Sequence, residues 1–218
     1  MKQKAPQTSE TLARQAYAVL QEMILTLDLK PGAVINEKSL IEQTGFGRTP
    51  LREALLRLAR ERLVRVLPRK GIIVSEINPA DFTALLETRS VLDELIALRA
   101  AKRVTGEQRT RLKDIASRME SAAKKNQLRD YMRLDEEFDT LIEEACRNPF
   151  AVRAVKPLHA HCRRFWFQYQ HAGDLAKAAR LHMSLMKSIS ASESKKISTA
   201  SSQLIGYLSD FTRTAISP

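Results

Sequence analysis

The chain holds 218 residues, with 36 Lys and Arg against 25 Asp and Glu and a formal net charge of +11. That excess fits a polyanionic partner, because neutralising phosphates releases condensed counterions, yet charge alone does not separate DNA from RNA or from an acidic membrane surface. Cys146 and Cys162 lie outside any metal-type spacing and predict free thiols in a reducing compartment. No apolar run approaches the ~18 residues of a membrane span or forms a signal-peptide core, so the chain is expected in the cytoplasm, with no membrane partner.

In chain order, Met1 to Gln7 is polar and expected to lack structure. A helix follows from about Thr8 to Leu27, with Thr8 or Ser9 as cap and Leu12, Ala16, Val19, Leu20, Met23, Ile24 and Leu27 at helical spacing. Tyr17 on it either packs or touches a phosphate. Lys30-Pro31-Gly32 reads as a turn, and Asn36 caps a short helix, Glu37 to Gln43, that offers Leu40 and Ile41 to a core. Gly45-Phe46-Gly47 then turns sharply into a second helix. Proline is tolerated in a first turn, so Pro50 fixes its start, and Leu51, Leu55, Leu58 and Ala59 form its apolar face. Arg48, Thr49 and Arg52 bring hydrogen-bond donors to its beginning, where a recognition helix meets base edges in a major groove. Val64 to Leu67 and Ile72 to Ser75 are β-prone runs joined by Pro68-Arg69-Lys70-Gly71, a basic hairpin with Arg69 and Lys70 at its tip.

Beyond a linker at Ser75 to Asn78, Asn78-Pro79 supplies an N-cap and a first-position proline. The rest reads as helices: to about Val104, Glu107 to Lys124, Gln127 to Cys146, from Asn148-Pro149 with a kink at Pro157, Asp174 to Ser190, and Glu193 to Thr214. The predicted organisation is mainly α. A winged helix-turn-helix domain with a short β-hairpin covers residues 8–76, and an all-helical antiparallel bundle covers residues 79–215.

Pro31-Gly32, Glu37, Leu40, Gly45, the run Arg48 to Leu55, Leu58, Leu63-Val64 and Gly71 closely resemble the DNA-binding domain of GntR-family bacterial transcription regulators. The resemblance implies a homodimer on a palindromic operator in double-stranded DNA, with Arg48 and Arg52 at bases, Thr49 and Lys38 at bases or phosphates, and Gly71 at the wing tip. Phe46-Gly47 departs from the family's hydroxyl-bearing residue before the arginine, which removes one cap or phosphate contact.

The bundle resembles the helical effector-binding and dimerisation (FCD) domain of the FadR subgroup, through Glu87, Arg89, Leu92, Asp93, Asp135 to Phe138, Asn148, His182 and Leu185. Many members use one Asp and three His on three helices to bind a divalent metal that helps hold a small carboxylate effector. Here Asp135 and His182 stand at two of those positions, Asp139 replaces one histidine, and Gln203 falls near the last. Asp135, Asp139 and His182 therefore form an incomplete metal set that either still holds a hard or borderline cation, with zinc or nickel weakened most by the loss of two imidazoles, or, as ligand count and type favour, forms a polar pocket with no tightly bound metal. Arg89 either captures an effector carboxylate with Asp135 nearby, or pairs with Asp93 or Glu87. Trp166 and Tyr169 either wall that pocket or belong to the core. His159, His161 and His171 show no pattern.

These expectations converge on a regulator, most often a repressor in this family, whose bundle binds a small acidic metabolite and alters the spacing of two winged helices. Two alternatives remain: a constitutive or architectural DNA-binding protein without effector sensing, and a metal-assisted hydrolase built on Asp135, Asp139 and His182. The sequence carries no nucleophile elbow, phosphate loop or HExxH helix, which leaves the hydrolase little support.

Overall fold

The computed structural model describes residues 9–170 and 174–216, which fall into two compact units dividing between Ile77 and Asn78. The first is built from α1 (Ser9–Leu25), α2 (Glu37–Thr44) and α3 (Arg48–Arg60), followed by β1 (Val64–Leu67) and β2 (Gly71–Val74). Thr8 and the side chain of Ser9, named above as caps, lie outside the described residues. α1 ends short of the expected Leu27 because that residue turns left-handed, at φ 61°, and the N–H of Leu29 donates to the Met23 carbonyl at 2.9 Å. α1 packs on α3, and together they bury Ala16, Leu20 and Ile24 with Leu51, Leu55 and Leu58. Each fully buried leucine of that face contributes about 1.5–3 kcal/mol relative to exposure.

Asn36 caps α2 by accepting from the Ser39 N–H, and Gly45 ends it at φ 73°, a left-handed position that L residues enter at a cost. The strands pair antiparallel with Val64 opposite Val74 and Leu67 opposite Gly71. β2 thus begins one residue before the expected Ile72. Ser75 lies beyond the strand, although its N–H still donates to the Leu63 carbonyl at 3.0 Å. A third extended segment, unforeseen from sequence, joins this hairpin: Val34 bridges Ile73, and the Ile35 N–H donates to the Ile72 carbonyl at 2.8 Å.

The second unit opens with one 3₁₀ turn, Pro79–Asp81, where the Asn78 side chain accepts from the Ala80 N–H. The long helix expected from Pro79 therefore starts later, as α4 (Phe82–Ala101). It is followed by α5 (Gly106–Lys124), α6 (Leu128–Cys146), α7 (Pro149–Tyr169), α8 (Asp174–Ser190) and α9 (Ser194–Ile216). α4 packs against α6, α7 and α9, while α5 packs against α6 and α8. Thr105 and Gln108 close a reciprocal capping box at the start of α5. α7 passes through Pro157 as one helix, although proline gives the Arg153 carbonyl no N–H partner a turn later. No helix among the described residues is long and apolar enough to cross a membrane.

Candidate DNA-reading surface and effector pocket

In the first unit the candidate reading surface is the start of α3 and the tip of the hairpin. Gly47 is the N-cap of α3 and offers no side-chain bond, the physical result of lacking a hydroxyl at that point. Arg48 and Thr49 follow it and are exposed, as is Lys38 on α2. Arg52 donates from Nε to Glu37 at 3.0 Å, with side chains 60% and 30% exposed. A pair that open to water is worth at most about 1 kcal/mol, so Glu37 orients Arg52 without locking it. Arg69 turns the hairpin at φ 63° and Gly71 at φ 84°, which leaves Arg69 and Lys70 exposed at the tip. Tyr17 packs: its ring lies under the Arg57 guanidinium, 3.6 Å from Cζ to centroid, and its hydroxyl donates to Glu61 at 2.7 Å.

The second unit holds a partly open cavity. α4 contributes Arg89; α6 contributes Tyr131, Met132, Asp135 and Asp139; α7 contributes His159, Cys162, Arg163 and Trp166; α8 contributes Ala178 and His182; α9 contributes Tyr207 and Leu208. The volume open to the centre of a water molecule is about 40 Å³. At about 10–15 Å³ per water, that is space for roughly three waters or a very small organic molecule. Trp166 is 5% exposed, and its indole Nε1 has no hydrogen-bond partner among the described residues. A buried donor left without an acceptor is costly, so this wall of the cavity is chemically unfinished.

Around the cavity the charges are paired. Arg89 reaches Asp93 at 2.8 Å, so it both lines the cavity and makes the intrahelical pair that its i, i+4 spacing allows. His159 lies between two carboxylates, with Nε2 2.8 Å from Asp93 and Nδ1 2.8 Å from Asp139. Burial would push its pKa down, but Asp139 and Asp93 overcome that and raise it to about 9. His182 likewise presents Nε2 to Asp135 at 2.8 Å and Nδ1 to the Ala178 carbonyl at 2.9 Å. With an acceptor at each ring nitrogen it favours the imidazolium, and its pKa is raised against the opposing effect of burial. Burial opposes ionisation of Asp135, but Arg163 and His182 hold its carboxyl well below the usual range. Burial pushes the Cys162 thiol up, which keeps it neutral.

Arg163 is the residue that sequence reasoning missed. Its Nε donates to Asp135 Oδ2 at 2.6 Å, and its Nη2 reaches Asp139 Oδ2. One guanidinium thus spans both carboxylates of the incomplete metal set. His159, read as ordinary, is also corrected here, since it is buried in the same network; His161 is half-buried and His171 lies outside the described residues. Gln203 is exposed and does not line the cavity, where Tyr207 represents α9 instead. Tyr169 is absent from the lining and packs on Phe165 with ring centroids 4.7 Å apart. A signal for the miss exists: His159, Cys162, Arg163 and Trp166 share one face of α7 with buried Val155, so two cationic side chains interrupt an apolar stripe.

These residues do not fit a divalent ion, because their donor atoms are occupied: Asp135 bonds Arg163 through one oxygen and His182 Nε2 through the other, and Asp139 bonds Arg163.

A winged helix with exposed arginines at the start of its second motif helix, in one chain with a bundle that holds a charged cavity, defines a DNA-binding regulator with a ligand-sized compartment. Residues 12–74 match the bacterial regulatory proteins of the gntR family and residues 84–206 match the FCD domain. The chain belongs to the GntR family of transcription regulators, in the FadR-like subgroup that carries an FCD domain. It is 23% identical over 206 residues to the HTH-type transcriptional repressor RspR of Escherichia coli K12, covering 94% of this chain and 90% of that protein. It is 35% identical over 131 residues to an HTH-type transcriptional regulator in the TAR-I ttuE-ttuC' intergenic region of Agrobacterium vitis, covering 58% and 77%. The fold matches the solved structure of E. coli McbR/YncC with a TM-score of 0.82 at 19% identity, over 93% of this chain and 97% of that one. This is a family of transcription regulators, not enzymes.

Proposed function

We propose that the protein is a cytoplasmic homodimeric repressor that binds a palindromic operator through α3 and the hairpin, and releases it when a small carboxylate enters the bundle cavity. The observation that carries the effector reading is the unpartnered Trp166 Nε1 on the cavity wall beside a network with surplus positive charge. Arg89, Arg163 and His159 are cationic against the three carboxylates Asp93, Asp135 and Asp139, the pKa of His182 is raised beside Asp135, and Glu143 is balanced by Lys156 at 3.1 Å. With His182 protonated these buried groups carry one more positive than negative charge, the complement of a monoanion, and the cavity size favours an acid of only a few non-hydrogen atoms. A ligand that binds two conformations unequally shifts their populations, and DNA affinity follows.

For the dimer, α4 and α9 offer a groove of about 510 Å³ lined by Val91, Leu95, Leu98 and Ile205 among smaller polar residues, with Val91 69% exposed. A second copy of the chain is its natural occupant, because a palindrome needs two identical recognition helices. The name of the RspR relative supports repression.

The test is to select an operator from random duplexes and measure its affinity under excess random competitor, with and without short monocarboxylic acids. The reading requires an operator preference that survives competition and an affinity that falls with at least one acid. Preference without any acid response would favour a constitutive regulator, a reading favoured by the fact that each charged group of the cavity already has a protein partner.

A further inference from the structure

The family resemblance implies a divalent ion in the bundle, and the residues present do not accept one. We propose that the guanidinium of Arg163 stands in for that ion, as a cation built into α7 that holds the α6 carboxylates together and makes the pocket independent of metal.

The geometry is that of a replacement. Asp135 and Asp139 are one helical turn apart on α6, so their carboxylates face the same way, and the planar fork of Arg163 spans them from Nε and Nη2. The remaining oxygen of Asp135 is bonded to His182 Nε2 at 2.8 Å. A metal at this point needs the lone pairs of those oxygens and of a deprotonated imidazole. Here the oxygens are accepting hydrogen bonds, and the imidazole nitrogen faces an oxygen that requires it to carry a proton. Two departures from the family pattern also explain each other. A carboxylate at Asp139, where an imidazole is expected, gives a guanidinium its second acceptor, and the guanidinium supplies the positive charge that two adjacent carboxylates need. Arg163 is buried with them, its side chain 10% exposed against 15% for Asp135 and 13% for Asp139, so the exchange is made in the interior, where charges must be balanced locally.

The experiment needs no effector, so it stands or falls separately from the proposed ligand response. Tag-free, full-length protein stripped with a chelator is titrated calorimetrically with Zn²⁺ and with Mn²⁺, and its melting temperature is followed in each. The wild type is expected to take up no stoichiometric ion beyond what Asp135→Asn also shows. Uptake of one equivalent that Asp135→Asn abolishes would overturn the proposal. Arg163→Met exposes Asp135, Asp139 and His182 to solvent ions, and is expected to gain one equivalent of zinc with a rise in melting temperature that a chelator reverses. Arg163→Lys keeps a cation there and is expected to stay metal-blind. Since Arg163→Met leaves two carboxylates facing each other and threatens folding, Arg163→Met with Asp139→His restores a neutral ligand and is expected to bind zinc at least about ten-fold tighter than the single variant. A folded double variant that takes up no metal would show that Arg163 is not what excludes it. Should neither variant fold, the wild-type titration still decides.

Discussion

Asp93 is the carboxylate on which two buried cations depend, since Arg89 and His159 both lean on it. Removing one partner of a buried pair strands the other in low dielectric, so Asp93→Ala is expected to cost about 3–5 kcal/mol of stability, read as a drop in the urea midpoint. Titration of His159 gives a second prediction. It is faced by Asp93, Asp139 and, at 3.9 Å, Glu143, and opposed by Arg89. Its folded pKa of about 9 lies above its ordinary 6.5, so the folded state binds the proton more tightly. The stabilisation is fully present below pH 6.5 and is lost as pH rises through about 9. Over that window the folding free energy should fall by roughly 3 kcal/mol, and His159→Gln should flatten the curve. At this scale sequence reading found Arg89, Asp135, Asp139 and His182 but not Arg163. Its acceptors lie on another helix more than twenty residues away, and among so many basic residues a single arginine looks like surface.

At the scale of elements, the start of α3 was legible nearly to the residue. Pro50 and the spacing of Leu51, Leu55 and Leu58 act locally, and local signals survive in sequence. The 3₁₀ turn before α4 was not legible, because Asn78 and Pro79 are compatible with either helix type and packing selects between them. Val34 was missed for a similar reason, since an isolated bridge has no periodicity. Two predictions belong here. Gly45 has open space around its Cα, so Gly45→Ala meets no neighbour and costs only the backbone strain of its φ of 73°, about 1–2 kcal/mol in thermal unfolding. Arg52→Ala should leave melting unchanged, because its bond to Glu37 is exposed, yet lose about 1–3 kcal/mol of operator affinity by fluorescence anisotropy if it reads a guanine. An unchanged affinity would take Arg52 out of the base-reading set.

For the whole molecule, a mainly helical chain with a β-hairpin wing ahead of a helical bundle followed from the shift between β-prone and helix-periodic segments. The surface proposed for the homodimer was not legible, because an exposed Val91 is one apolar residue among many until α9 brings Ile205 beside it. Val91→Glu, an exposed position whose change spares the core, should convert a dimer to a monomer by light scattering and lower operator affinity with it; an unchanged mass would place the dimer contact elsewhere. The cation spanning Asp135 and Asp139 also bears on how such a regulator lives in a cell. A guanidinium is synthesised with the polypeptide, one per copy, and needs no chaperone, uptake system or maturation step. On the proposed effector response, readiness to sense then follows protein abundance alone, and a culture starved of zinc or iron should keep the same dose response as one that is replete.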